Sequence, residues 1–200
     1  MTSNLLMMNK WDLSEVKIED RGLKGYINIK PVILPKSSGR NSTLSLRRQH
    51  VSIVERFINK LMVTGHKGKK HEITSDHNIG RYISVYSAVK DAFEIIENKT
   101  KKNPVQVLVT AIENSAMYEE VAAYRMGGRI ARKAVIVSPR RRIDMALRFM
   151  CQGIFRQSFG KKTKLANAIA NELMAIYNND ANTMAIRERQ RLEREADGAR

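Results

Sequence analysis

The chain has 200 residues, 42% of them hydrophobic, and 36 Lys and Arg against 20 Asp and Glu give it a formal net charge of +16. This length and apolar content support one ordinary folded domain and exclude a disordered chain. The single cysteine, Cys151, excludes an intramolecular disulfide, and no apolar run approaches the roughly 18 residues of a transmembrane helix. We therefore expect a cytoplasmic protein with a polyanionic partner, because a nucleic acid relieves the self-repulsion of so basic a chain.

Residues 1–46 predict an extended N-terminal arm. They show no sustained hydrophobic period and contain Pro31, Pro35 and a polar run of Ser, Gly and Asn. One piece, Gly25 to Lys30, resembles a short strand. Such an arm has no core of its own, so we expect it to pack on something else.

Residues 47–182 predict a helical domain, because their apolar residues recur every three to four positions. The first helix follows His50 and ends at Gly65, and the second runs from Arg81 to about Lys99. A polar, glycine-punctuated loop joins them and is expected to be the most mobile part of the chain.

Three further helices are recognisable, either from a start signal or from a stripe of apolar residues along one face. Asn103-Pro104-Val105-Gln106 places a cap, a first-position proline and a capping-box glutamine ahead of an apolar run. A fourth helix opens at Ser138-Pro139, with Ser138 as its cap, and a fifth carries an apolar stripe from Leu165 to Ile176. Gly153 and Gly160 are expected to break the chain between these two helices.

A β-hairpin is predicted from Tyr118 to Val137, turning at Gly127-Gly128. The two glycines allow the positive φ angles of a type I′ turn, whereas a helix through them would lose about 1 kcal/mol at each glycine. A lone two-stranded ribbon is marginal, so it needs support from the helices or from a partner.

The strongest functional signal is the stretch from Arg125 to Arg142, which holds seven basic residues and no acid. Its residues are Arg125, Arg129, Arg132, Lys133, Arg140, Arg141 and Arg142. The last three fall in the first turn of a helix, where the dipole disfavours positive charge, so an external anion such as nucleic-acid phosphate is expected to compensate them. The alternative is a charged turn that stays in solvent.

Further basic residues are secondary candidates for phosphate contacts. They are Arg47, Arg48, Lys67, Lys69, Lys70, Lys161 and Lys162. The segment from Gly65 to Lys70 lacks the spacing of a nucleotide-binding P-loop, which excludes an NTPase reading and leaves a basic loop that touches phosphate or solvent.

Catalytic chemistry finds no support in the sequence. His66, His71 and His77 do not have the spacing of zinc ligands, and the only cysteine is distant. Glu119 and Glu120 are neighbours in a strand and point to opposite faces, so they do not form a carboxylate pair. We predict a protein that is not an enzyme and uses no metal or cofactor.

The tail, residues 183–200, alternates positive and negative charges with little apolar surface. This pattern predicts a charged C-terminal helix that is either solvated or ordered by a partner.

Several strings closely resemble small-subunit ribosomal protein seven, which eukaryotes number five. The most specific are Asn103-Pro-Val-Gln-Val-Leu-Val109 and Gly128-Arg-Ile-Ala-Arg-Lys-Ala-Val135, which runs into Val137-Ser-Pro-Arg-Arg-Arg142. The two ends, from Lys10-Trp11 and from Ala185 onward, resemble the archaeal and eukaryotic branch, so the likeness covers essentially the whole chain. One segment, Lys70 to Ser84, departs from the family by being longer, and its role is open.

The resemblance implies a mainly α fold of five to six helices with a protruding two-stranded hairpin. It also implies a structural protein that binds the 3′ major domain of small-subunit rRNA in the head and supports head assembly, with its hairpin near exit-site tRNA and the mRNA exit path. Head and platform ribosomal proteins would be its neighbours, without a membrane or a homo-oligomer. The protein would be cytoplasmic on the ribosome, and nucleolar during assembly if the source is eukaryotic.

Two rival functions follow from the residues alone. A DNA architectural or regulatory protein would also be basic and helical, and it predicts a preference for duplex DNA. A nucleic-acid-processing enzyme would need clustered carboxylates for metal ions, and the sequence does not provide them.

Overall fold

The computed structural model describes residues 5–45, 49–63, 66–67, 70–71 and 78–200, with only the backbone described at 66–67 and 70–71. Within these residues the chain forms α1 (Ile53–Leu61), β1 (His66–Lys67), β2 (Lys70–His71), α2 (Tyr82–Thr100), α3 (Pro104–Ser115), β3 (Glu119–Met126), β4 (Arg129–Ile136), α4 (Pro139–Ser158), α5 (Leu165–Tyr177) and α6 (Met184–Asp197). The mainly α fold with one protruding hairpin, β3–β4, is confirmed. The antiparallel pair β1–β2 is only two residues long.

The core lies where α5 packs against α2, α3 and α4. The inward apolar residues of α5 are small or branched, and five of them are fully buried: Ala168, Ile169, Ala170, Leu173 and Ile176. Opposite them lie buried apolar residues of the other helices, including Phe93 and Leu108. This is the apolar stripe that the period of the sequence predicts.

Cys151 is buried in the same core, as predicted. Burial raises the pKa of its thiol, so the thiol stays protonated and behaves as a small apolar group.

The described part of the N-terminal arm, residues 5–45, lies across the helices and contributes to their core. Its buried residues are Met7, Met8, Trp11, Leu13, Val16, Leu23, Ile27 and Pro35. The Trp11 ring meets Phe93 of α2 edge-on at 5.6 Å, and its indole N–H donates to Glu97 at 3.0 Å. The arm therefore packs on the body of its own chain.

The strand-like piece from Gly25 to Lys30 is not a strand. Its backbone turns, with the Tyr26 and Ile27 N–H groups donating to the Leu23 carbonyl, and only Asn28 forms a single parallel bridge, with Ser52. A local strand preference does not hold here, because the arm bends as it packs against the helices.

Of the two capping interactions predicted at the start of α3, one is present and the other is not. The Asn103 side chain accepts the Val105 N–H at 3.0 Å, which confirms the cap. The capping-box role of Gln106 is wrong, because its side-chain oxygen accepts the Lys17 N–H at 2.7 Å and its amide donates to the Lys17 carbonyl at 3.0 Å. The Gln106 amide instead bonds both the N–H and the carbonyl of Lys17, as a neighbouring β-strand would, and so attaches the arm to α3.

Gly153 does not end or interrupt α4, since it lies in the middle of this helix and is buried. Only Gly160 ends the helix region, with a φ of +67° just after α4. A glycine inside a helix is unfavourable unless another group needs the space, and here the side chain of Glu172 from α5 occupies it.

The charged C-terminal helix, α6, packs on α4 and on strand β3 of its own chain. Met184, Ala185, Ile186 and Ala196 are its buried residues. The Tyr118 N–H donates to Glu193 at 3.1 Å, and Arg200 bonds both carboxylate oxygens of Glu119 at 2.6 Å. The helix is thus ordered by the base of the hairpin, and charge alternation alone did not predict this.

The loop between α1 and α2 is described only in part. Residues 72–77, which belong to the segment that departs from the family, lie outside the described residues. Across the parts of the chain that are described, no helix combines the length and apolar character needed to cross a membrane.

Candidate nucleic-acid interface

The hairpin turns at Gly127 and Gly128, whose φ angles of +56° and +81° lie in the left-handed region. Both positions of a type I′ turn require this conformation, so the predicted turn is confirmed. Met126 and Arg129 face each other across the two-residue loop. The register is then regular for eight residue pairs, down to Glu119 and Ile136.

Only the base of the hairpin is supported by the body. The residues from Glu119 to Ala122 are half-buried, whereas every residue from Ala123 to Ile130 is exposed. The end of the ribbon therefore projects from the domain with its side chains exposed.

Four basic side chains, which we call the hairpin cations, lie along this ribbon. They are Arg125, Arg129, Arg132 and Lys133, and all four are exposed. None of them has an ion pair or a side-chain hydrogen bond with another described residue.

The register divides the hairpin cations equally between the two faces. Lys133 lies opposite Ala122 and Arg132 lies opposite Ala123, so these two neighbours point to opposite sides. Arg125 shares the face of Arg132, and Arg129 shares the face of Lys133. The ribbon is basic on both sides, which suits a segment that enters between two polyanionic strands better than one that lies flat on a single strand.

Large apolar side chains are interleaved with these charges. Tyr124, Met126 and Ile130 near the turn are 46%, 68% and 66% exposed. Exposed aromatic and apolar groups among cations are typical of surfaces that meet unstacked bases as well as phosphates.

The arginine triplet at the start of α4 divides into three different environments. Arg142 is buried, with 6% of its surface exposed, and its Nη2 donates to Asp20 at 2.7 Å. Arg141 is half-exposed and pairs with both carboxylate oxygens of Glu120, at 2.6 and 2.7 Å. Arg140 is half-buried and has no partner among the described residues.

The expectation that an external anion compensates all three arginines is therefore wrong for Arg142, whereas Arg141 has an internal partner and stays half-exposed. Asp20 and Glu120 are distant in sequence from the helix start and supply the opposing charge from within the chain. The cap is also different, because the Ser138 side chain makes no capping hydrogen bond although Pro139 begins the helix as predicted.

The other predicted contact residues are spread over the structure. Lys161 and Lys162 are exposed, in the turn between α4 and α5. The backbones of Lys67 and Lys70 lie opposite each other in the β1–β2 ladder. Arg47, Arg48 and Lys69 lie outside the described residues.

Sequence reasoning missed the internal role of Arg142, although a signal was present. Arg142 precedes Ala146 by four residues, so it lies on the apolar stripe of α4. A basic residue on an inward stripe must find a buried partner, and helical periodicity would have separated Arg142 from its two neighbours.

The two glutamates at the start of β3 have separate partners. Glu119 bonds Arg200 and Glu120 bonds Arg141, as expected for side chains on opposite faces. No group of three or more potential metal ligands occurs among the residues that the structure describes.

Comparison with known proteins decides the family. Residues 23–200 match the family model described as Ribosomal protein S7p/S5e. The chain belongs to this family. Its members are ribosomal proteins, so the chain is a structural protein of the translation machinery and not an enzyme. The family resemblance that the sequence motifs indicated is confirmed.

Similar proteins occur in several archaea, each named small ribosomal subunit protein uS7. The protein of Nanoarchaeum equitans is 41% identical over 97% of this chain and 98% of its own length. The one from Archaeoglobus fulgidus is 43% identical, covering 98% of this chain and 95% of its own. That of Cenarchaeum symbiosum is 39% identical over 100% of this chain and 98% of its own.

Proposed function

We propose that the chain is a structural constituent of the small ribosomal subunit. In this proposal it binds the 3′ major domain of the rRNA in the head and supports assembly of the head, while its hairpin reaches towards exit-site tRNA and the mRNA exit path. The archaeal relatives that match over nearly their whole length carry the name of a small-subunit protein. Membership of the S7p/S5e family supports an rRNA partner.

The observation that carries the proposal is the pair of basic faces on the hairpin. Arg125 and Arg132 on one face, with Arg129 and Lys133 on the other, form no ion pair with a carboxylate of the described residues. A projecting ribbon with uncompensated charge on both sides is suited to a space between RNA strands. Phosphate contacts of this kind position a protein and follow the shape of the RNA rather than its sequence.

The RNA-facing set that we propose extends from the hairpin to the start of α4 and the turn after it. It includes the hairpin cations with Arg140, Arg141, Lys161 and Lys162, all of which are exposed or half-buried. Arg142 is left out because its guanidinium is buried against Asp20. The protein would act on cytoplasmic ribosomes beside other head and platform proteins, as a single copy and with no membrane, and in a eukaryote it would assemble in the nucleolus.

Salt-dependent binding tests this role. The probe is an in vitro transcript of the 3′ major domain of an archaeal small-subunit rRNA. Two double variants, Arg125→Ala/Arg132→Ala and Arg129→Ala/Lys133→Ala, each remove one basic face. Every lost phosphate contact should lower the slope of log affinity against log salt by roughly 0.7 to 0.9.

The matched control removes the same charge elsewhere. Lys30 and Lys99 are both exposed and belong to the arm beside Ser52 and to the end of α2, not to the hairpin or its base, so Lys30→Ala/Lys99→Ala should leave the slope nearly unchanged. An equal loss of slope in this control would mean that net charge alone drives binding. Tighter binding to duplex DNA of the same length would favour the architectural DNA-binding rival. In cells, co-sedimentation with small subunits and crosslinks from the hairpin to 3′-domain rRNA are expected.

A further inference from the structure

The direction in which the hairpin projects depends on a few contacts at its base. The residues near the turn are exposed and touch nothing that would guide them. At the other end, the Val137 N–H donates to the Tyr118 carbonyl at 2.9 Å and closes the ribbon. Groups that hold the two residues just before β3, Met117 and Tyr118, therefore help to set the direction of the ribbon, together with α6, which packs on β3.

One guanidinium holds both of these residues. Arg142 Nε donates to the Met117 carbonyl at 3.0 Å, and the guanidinium lies over the Tyr118 ring, 4.3 Å from its centroid. The remaining side of the guanidinium donates to Asp20 of the N-terminal arm at 2.7 Å. A planar group with a fixed fork of donors can make these three contacts at once, whereas an ammonium group cannot.

Asp20 is itself held in place by other contacts. Its backbone N–H and that of Glu19 donate to one carboxylate oxygen of Glu113 in α3, at 3.0 and 2.8 Å. Its Oδ1 accepts the Gly22 N–H at 2.8 Å. A side chain at position 22 would crowd the Asp20–Arg142 ion pair, because a Cβ atom there would lie 3.1 Å from Asp20 Oδ1 and 3.4 Å from Arg142 Nη1.

We propose that Arg142 is a positioning residue, which clamps the base of the hairpin to the N-terminal arm through Asp20. Asp20 of the arm then affects how the hairpin meets RNA, because it fixes the guanidinium that aims the hairpin. Arg142 and Asp20 are 7% and 19% exposed in their side chains, so solvent screens this pair only weakly. The consequence for RNA rests on the function proposed above, whereas the clamp itself is a property of the free protein.

Distance measurements between two spin labels test the clamp in the free full-length chain. One label is placed near the turn at Met126→Cys and the other on α2 at Ile83→Cys, a residue that is 78% exposed. Both are introduced into a Cys151→Ala background. Asp20→Asn should broaden the distance distribution, since a neutral amide holds the guanidinium less firmly. An unchanged distribution in Asp20→Asn would overturn the proposal.

The control breaks another contact of the arm. Lys10 pairs with Glu94 of α2 far from the hairpin, so Glu94→Gln weakens the hold on the arm while leaving the base intact. It should give the parental distribution. Should Asp20→Asn fail to fold, Tyr118→Leu removes the ring beneath the guanidinium and should broaden the distribution in the same way.

RNA binding separates the clamp from the proposed function. With the same rRNA transcript, Asp20→Asn should weaken binding by roughly threefold to tenfold, while Glu94→Gln should not. A broadened distribution with unchanged affinity would support the clamp and count against the hairpin as an RNA contact. Weaker binding with an unchanged distribution would refute the clamp.

Discussion

Gly153 of α4 and the carboxylate of Glu172 on α5 share one small space. A Cβ atom on Gly153 would lie 2.2 Å from Oε1 and 2.8 Å from Cδ of Glu172. Glu172 is only 2% exposed, and its other oxygen accepts a hydrogen bond from Gln157. The glycine thus makes room for a buried acid between two helices of the core.

Gly153→Ala should destabilise the fold. In an ordinary helix interior this change stabilises by roughly 0.5–1 kcal/mol, but here the new methyl group displaces a buried carboxylate and should cost about 1–3 kcal/mol. Urea denaturation measures the difference. The double variant Gly153→Ala/Glu172→Ala should recover part of the loss, because the two groups no longer compete, and simple additivity would contradict the shared space.

Glu172 should make stability depend on pH. Burial is the largest of the causes that raise the pKa of Glu172 from 4.5 to about 7. The nearby Asp180 also raises this pKa, whereas a backbone hydrogen bond from Met184 lowers it. The folded state therefore binds this proton more tightly than the unfolded chain. Protonation of Glu172 therefore stabilises the fold by on the order of 3 kcal/mol. This stabilisation is fully present below pH 4.5 and is lost as the pH rises through 7.

Glu172→Gln is the reference for this measurement. The glutamine does not titrate, so the difference in unfolding free energy between the variant and the parent should grow from pH 4.5 to 7 and then level off. A difference that stays constant over this window would show that Glu172 keeps an ordinary pKa in the fold.

The two predicted caps should respond differently to truncation. Asn103→Ala removes the bond to the Val105 N–H and one to the Asp12 carbonyl of the arm, so a loss of about 1–2 kcal/mol is expected. Ser138→Ala should change stability by less than about 0.5 kcal/mol, because Ser138 makes no capping bond. Thermal unfolding of the two variants in parallel distinguishes them, and equal losses would be inconsistent with the structure.

The N-terminal arm should unfold together with the helices. Trp11 is the only tryptophan, is 4% exposed and packs on Phe93, so its fluorescence reports on the arm alone. Fluorescence and far-ultraviolet circular dichroism should give the same denaturation midpoint. A fluorescence transition at lower denaturant would mean that the arm detaches first. Trp11→Ala should cost about 3–5 kcal/mol, as for a large aromatic residue in a core.

The sequence by itself determined the elements whose signals are local. Gly127-Gly128 specified the turn of the hairpin because both positions need positive φ, and Asn103-Pro104 marked a helix start because its cap lies two residues from its donor. The apolar period located the helices, since one face of each must be buried. The motifs from Asn103 to Arg142 also indicated the family, and alternation along the strands divides the hairpin cations between two faces.

Only the tertiary structure decided which partners the inward charged and polar side chains have. Helical periodicity sets Arg142 apart from Arg140 and Arg141, but it does not identify its partner Asp20, which lies 122 residues earlier in the chain. Gln106 pairs with Lys17, and Gly153 accommodates Glu172, for the same reason. Such partners meet only after the helices pack, because a side chain selects its partner by distance in space and the sequence records only distance along the chain.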